Sequence, residues 1–264
     1  MRRGIRLSGT ELSNGVSVII PAYNEEDRII KSLQLYIPAL KNVGLPYEII
    51  VITDGTDRTY DVATAYSSDH VSAFKFERKL GKGGALKEGT ARAKYDTTFW
   101  IDADGSLCPD DMCKMIENSG HYDCVVASRW LPESVWDKRE PLFNMAVGRV
   151  FNFLVRGLLF LSIKDTQCGA KLFDTRLIRR VTAATLVTNR TFDAAILYHV
   201  KKAGGTIKEL PVRWRHDEDT RMPIFRVIPI MLITLIGVRL MNLPIKRYIP
   251  TRLVGFFTQR YARD

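Results

Sequence analysis

The chain has 264 residues, 46% of them hydrophobic, enough for one large domain or two small ones around a packed core. Its 39 lysines and arginines outnumber 29 acids, and the net charge of +10 points to an anionic partner: a nucleic acid, a phosphorylated substrate or an acidic membrane surface. Cys108, Cys113, Cys124 and Cys168 show neither a C-x-x-C pair nor zinc-finger spacing, and the basic N-terminus (Arg2, Arg3, Arg6) lacks the apolar core of a signal peptide. The cysteines are expected to be reduced thiols of a cytosolic protein. No segment reaches the ~20 apolar residues of a spanning helix. The longest apolar run, 227–238, is closed by Arg226 and Arg239 and broken by Pro229.

In chain order, residues 16–20 read as a buried strand ended by Pro21. A loop over 22–26 leads into a helix over 27–43, with Ile29, Ile30, Leu33, Ile37 and Leu40 on its apolar face. A second strand, 48–52, ends in the acidic loop 53–57, and a helix with Val62, Ala63 and Tyr66 follows. Residues 71–76 form a third strand. The glycine-rich basic turn 79–85 opens a helix running to about Lys94, and a strand over 97–102 delivers Asp102-Ala103-Asp104-Gly105. Strands that are continuous apolar runs, alternating with helices, predict an α/β fold with a mostly parallel sheet covered on both faces.

Asp102 and Asp104 project the same way if the strand persists. Two like charges so close need a cation between them, or one must give up its charge; a divalent ion holding a diphosphate is the economical solution, and an ordinary turn is the alternative. Asp54 has two readings, a ligand for base and ribose alongside Tyr23 and the Pro21 loop, or a cap on the next helix. The turn Gly81-Lys82-Gly83-Gly84-Ala85 has neither P-loop nor G-x-G-x-x-G spacing. It places backbone N–H groups and Lys82 at a helix N-terminus, where a phosphate would sit; the alternative is a tight turn with a solvated lysine.

The second half begins with a strand over 123–128 and then Arg129. The apolar stretch 142–163 carries Arg149 and Arg156 a heptad apart. Segment 164–173 follows, then a helix around Phe192, Asp193, Ile196, Leu197 and Val200 that stops at Gly204-Gly205. Residues 206–214 alternate like a strand and run into a polar loop over 215–221. Arg129, Arg149, Lys171 and Arg221 are available to anionic oxygens, arginine's fork matching phosphate geometry. The stretches 142–163 and 225–243 are expected to lie on a membrane surface, because arginines interrupt both at intervals suited to headgroups; packing on the sheet is the alternative.

Seven motifs stand in order: Ile-Ile-Pro-Ala-Tyr-Asn-Glu-Glu (19–26), Asp-Gly-Thr (54–56), Gly-Lys-Gly-Gly-Ala (81–85), Asp-Ala-Asp-Gly (102–105), Ser-Arg (128–129), Asp-Thr-Gln-Cys-Gly (165–169) and Phe-Asp (192–193). Together, over about residues 16–222, they resemble family 2 glycosyltransferases of GT-A fold. Within that family they resemble the polyprenyl-phosphate hexosyltransferases, the dolichyl-phosphate glucosyltransferases ahead of the dolichyl-phosphate mannose synthases. The resemblance implies inverting transfer of a hexose from a nucleotide sugar (UDP- or GDP-linked) to a polyprenyl or dolichyl phosphate, with Mg²⁺ or Mn²⁺. It implies a catalytic set of Asp102, Asp104, Arg129 and Asp193, with Asp102 and Asp104 as metal ligands. Pro21, Tyr23, Glu25, Asp54, Lys82 and Ala103 join the carboxylate pair around the nucleotide sugar. Arg129, Arg149, Gln167, Lys171 and Arg221 serve acceptor and diphosphate.

Asp193 falls where relatives with hydroxyl acceptors keep a base; a phosphate acceptor is already anionic, which leaves Asp193 an orienting role. Ala170 and Ala195 depart from the bulkier residues usual at these places and are expected to reshape the sugar pocket. The expected organisation is a catalytic domain over 1–222 and membrane-associated helices over 223–264, in a monotopic enzyme on the cytoplasmic face of a membrane, with no nucleic-acid partner. Competing readings are a mannose-transferring enzyme, transfer to a soluble or protein acceptor with Asp193 as base, and an inactive nucleotide-sugar-binding subunit.

Overall fold

The computed structural model describes residues 14–138, 142–215 and 224–243. Seven strands form one sheet: β1 (Val16–Ala22), β2 (Tyr47–Thr53), β3 (Val71–Lys75), β4 (Thr97–Trp100), β5 (Cys124–Ser128), β7 (Lys171–Asp174) and β8 (Ile207–Pro211). Their order is β3-β2-β1-β4-β7-β5-β8, and β6 (Val135–Lys138) pairs with β9 (Arg213–Arg215) in a separate ribbon. The helices are α1 (Glu26–Val43), α2 (Thr59–Thr64), α3 (Gly81–Arg92), α4 (Pro109–Glu117), α5 (Leu142–Leu159), α6 (Thr175–Ala184), α7 (Phe192–Lys202) and α8 (Ile224–Met241).

The sheet divides the interior into two apolar layers, and strand alternation allots each residue to one of them. On β1, Val18 and Ile20 pack with Ile29, Leu33, Tyr36 and Met112 of α1 and α4. Ile19 faces the other way, into a layer with Leu86, Trp100, Phe173, Phe192 and Leu197. α8 joins that second layer through Met231, Leu235 and Val238, and its Thr234 accepts a bond from Asn189 at 3.1 Å. The described part of 223–264 therefore shares the core of the catalytic fold. Ala170 and Ala195 are fully buried in opposite layers, so the two do not line one sugar pocket.

One expectation about the strands is corrected. Strand geometry stops at Trp100, and Asp102 and Asp104 stand in the turn beyond it. The segment after Cys168-Gly169 is a strand, β7, antiparallel to both β4 and β5, within an otherwise parallel sheet. From β1 the chain steps outward through β2 to β3, then returns to β4 on the other side of β1. Open α/β sheets place ligands at such a reversal, beyond the C-terminal strand ends. The loops after β1, β2 and β4 all emerge there.

Close packing of α3 on β1 depends on Gly89. A Cβ at that position would run into Ile19 Cγ2, near the root of a side chain that cannot swing away. Gly89→Ala should destabilise the fold by roughly 1–3 kcal/mol, as overpacked cores do, and thermal denaturation followed by circular dichroism measures it.

Candidate active site

The three rim loops are tied together before any ligand arrives. Asn24 takes the left-handed conformation (φ 56°) and its side-chain oxygen accepts from Thr56 N at 2.8 Å, joining the loop after β1 to that after β2. Glu25 N donates to Thr59 Oγ1 at 2.7 Å, strengthening the same junction. Asp54 is buried, and its Oδ2 accepts from Leu80 N (2.6 Å) and Gly81 N (3.0 Å). Asp54 does not cap the next helix, α2, as one sequence reading had it; it holds the first turn of α3 near the end of β2. Pro21, expected to end the first strand, lies within β1 in register with Ile52, and the strand runs on to Ala22; Tyr23 stands exposed with Lys79 Nζ 4.5 Å over its ring.

Ala103 is buried, its carbonyl taking a bond from Ser32 Oγ (2.5 Å), and Asp104 Oδ1 accepts from Ser106 N (3.0 Å), which fixes the turn carrying both carboxylates. Burial, and then the charge of Asp102, raise the Asp104 carboxyl above its ordinary range against its bonds to Ser106. Burial raises Glu25 to about 7, partly opposed by Arg28, with Asp104 and Asp102 adding to the rise. Asp104 thus sits in a negative field that its surroundings leave partly uncompensated, an environment a divalent cation would complete. Among the described residues no three His, Cys, Asp or Glu side chains group as a metal site. A cation here would rest on Asp102 and Asp104 and draw further oxygen ligands from a bound diphosphate or water.

Lys82, expected at a phosphate or in solvent, is engaged by protein. Its Nζ lies 2.8 Å from Asp102 Oδ1 and 3.0 Å from Asp193 Oδ2. Lys171 has no exposed surface; its ammonium meets Asp193 Oδ1 at 2.6 Å and the Cys168 carbonyl. That corrects the expectation for Lys171: it points into the core, where Asp193 neutralises it, and is not at hand for an anionic acceptor. Asp193 is 2% exposed. Burial alone would raise its carboxyl, but the Lys171 and Lys82 ammoniums overcome that and hold it below the ordinary carboxylate range. So paired, the Asp193 carboxylate is held in its charged form by two ammoniums.

Arg129 is committed as well. Its Nε and Nη2 form a bidentate pair with Asp165 (2.7 and 3.1 Å), and Trp130, Trp136 and Trp214 surround the guanidinium at 5.4–6.0 Å. Asp165 also accepts from Cys168 N and Gln167 N, so the Asp-Thr-Gln-Cys-Gly segment is wound around this carboxylate. Gln167 Nε2 reaches Thr166 Oγ1 at 3.4 Å. Arg149 is exposed on α5 and lies 4.6 Å over the Trp130 ring. It lines a recess of about 330 Å³ with Trp130, Asn152, Phe153, Arg156 and Lys164. Arg156 Nε is buried without a hydrogen-bond partner there. The sequence reading set Arg156, a heptad from Arg149, among the headgroup-facing arginines of this helix and assigned no role to Lys164 or Asn152. Arg221 lies outside the described residues.

A profile of "Glycosyl transferase family 2" matches residues 17–182. The chain belongs to glycosyl transferase family 2. It is 32% identical over 227 residues to dolichyl-phosphate β-glucosyltransferase of Dictyostelium discoideum, the match covering 80% of this chain and 69% of that protein. It is 31% identical over 221 residues to glycosyltransferase AglD of Haloferax volcanii, covering 81% of this chain but only 35% of that longer protein. Among solved structures, it superposes on Mycobacterium tuberculosis glucosyl-3-phosphoglycerate synthase in complex with Mn²⁺, UDP-glucose and phosphoglyceric acid, with TM-score 0.63 and 20% identity over 86% of this chain and 79% of that one. Mannosyl-3-phosphoglycerate synthase from Rubrobacter xylanophilus gives TM-score 0.65 at 15% identity, covering 89% and 80%. At such identities the likeness is one of fold, and that fold is the expected GT-A type.

The raised carboxyl of Glu25 has a sign that can be checked. Between about pH 4.5 and 7, ionising it costs more in the folded chain than in the unfolded one, so its contribution to stability falls as pH rises through that window. Glu25→Gln mimics the protonated form. It should raise Tm at pH 8 by about 2–6 °C, corresponding to roughly 1–2 kcal/mol, and leave Tm unchanged at pH 4.5.

Proposed function

We propose that the chain transfers glucose, with inversion, from UDP-glucose to a polyprenyl or dolichyl phosphate. One observation carries this reading: Asp193, at the place of a base, is held between two lysine ammoniums and cannot take a proton readily. An acceptor for such a site must arrive already ionised, and a phosphate monoester does so at neutral pH. Its oxygen attacks the sugar's C1 as the bond from C1 to the diphosphate oxygen breaks, and no proton changes hands. Glucose as the sugar is supported by the relatives named dolichyl-phosphate β-glucosyltransferases, and UDP by the UDP-glucose in the superposed mycobacterial enzyme.

Asp102 and Asp104 would hold Mg²⁺ or Mn²⁺, which when bound neutralises charge gathering on the leaving diphosphate. Tyr23, Asp54 and Glu25 border the nucleotide side of the same rim. Arg149, Arg156 and Lys164 offer the acceptor phosphate a cationic recess walled by Trp130 and Phe153. Its apolar chain has a place nearby: α5 exposes Val150, Phe153 (73%) and Leu154 while burying Phe151, Val155 and Leu159. Among the described residues no helix is long and apolar enough to cross a membrane. Attachment would therefore use the apolar strip of α5 with its flanking cations, at the cytoplasmic face; all four cysteines are free.

Incubating the protein with a panel of labelled nucleotide sugars, polyprenyl phosphate and Mg²⁺ or Mn²⁺ tests the reading. Glucose label from UDP-glucose should enter the organic phase, and Asp104→Asn should lower the rate at least ~10²-fold. Label appearing only in water-soluble or protein products would overturn the reading. Separately, the protein should sediment with anionic liposomes, less so at 1 M salt, and Phe153→Ser with Leu154→Ser should weaken that binding. Full retention of liposome binding by the double variant would count against α5 as the attachment surface.

A further inference from the structure

The ion pairs behind the carboxylate pair form a chain with a direction. Lys171 on β7 meets one oxygen of Asp193, the other oxygen of Asp193 meets Lys82, and Lys82 meets Asp102. Accessibility rises along it. Lys171 is fully enclosed and Asp193 nearly so, whereas the side chains of Lys82 and Asp102 retain 20% and 32% exposure. Two ammoniums and two carboxylates sum to zero charge, so the group is neutral without a ligand, and only its Lys82–Asp102 end is open to one.

Asp102 is constrained from a second side. A Cβ on Gly169 would collide with the Asp102 carboxylate, which lies directly against the backbone of the segment whose Cys168 carbonyl receives Lys171. Buried ion pairs rarely improve stability over apolar side chains of similar size. A fold needing only filled space at Lys171 and Asp193 would be served as well by methionine and leucine.

We propose that Lys171 and Asp193 are positioning residues for the donor clamp. They fix the Lys82 ammonium, and through it the direction of the Asp102 carboxylate, without touching donor or acceptor. The inference rests on the reading of this site as a nucleotide-diphosphate clamp.

The test replaces the hidden half of the chain while keeping charge balance, with Lys171→Met and Asp193→Leu combined. Lys82 and Asp102 then remain as a neutral pair with nothing to set their position. Calorimetric titration of UDP in the presence of Mn²⁺ should show affinity ~10–100-fold weaker, the usual effect of losing an outer partner of a ligand residue. The KM for polyprenyl phosphate should be unchanged, and circular dichroism should show a folded protein. Asp193→Glu, which keeps every charge but moves the carboxylate by one carbon, should weaken UDP–Mn²⁺ binding in the same direction. Wild-type affinity in either variant, once folded, overturns the positioning role alone. Unfolding of both variants overturns it too, since the pair would then hold the fold and not the clamp. Wild-type protein that binds no UDP with Mn²⁺ overturns the clamp reading itself, and the positioning role with it.

Discussion

A carboxylate with as little access to water as Asp193 is tolerable only if its charge is met at both oxygens. Stripping water from an isolated ion costs several kcal/mol even after the protein relaxes. Asp193 resolves this with two lysines from distant parts of the chain, one in a strand and one in the first turn of a helix. Because the partners cannot part without exposing an uncompensated buried charge, β7, α3, α7 and the loop after β4 are held in one arrangement. The active-site rim inherits its shape from this electrostatic demand as much as from apolar packing.

The same demand bears on the chemistry. Positive charge is abundant around the site, yet much of it is already spent: Lys82 and Lys171 on Asp193 and Asp102, Arg129 on Asp165. Arg149 lies over an indole face, and Arg156 and Lys164 line the same recess.

How much of this was legible in the sequence follows from the range of each interaction. Alternation of apolar strands and helices is local, and it announced the α/β sheet. The end of β4 at Trp100 was less visible, since Ile101 continues the apolar run. β7 was hidden because it opens on a lysine and is only four residues long. A lysine in such a place looks like a surface cation until its partner, 22 residues later, is seen beside it. Arg129 was read as a ligand for phosphate oxygens, and the carboxylate that claims its fork is 36 residues away. Pairings between distant residues leave no periodic trace, and they are where sequence reading and structure parted.

The segment between Asp165 and Gly169 also sets a length. Thr166 is fastened to α5, since both its N–H and its hydroxyl donate to Asn152 Oδ1, while Gly169 lies against Asp102. Gly169 is three steps along the chain from Thr166, and fully extended chain advances at most ~3.6 Å per residue, so the two anchor points stand within about 11 Å of each other. The helix with the apolar strip and the carboxylate at the rim are thus joined by a strut about a nanometre long at most, with no hinge needed between them.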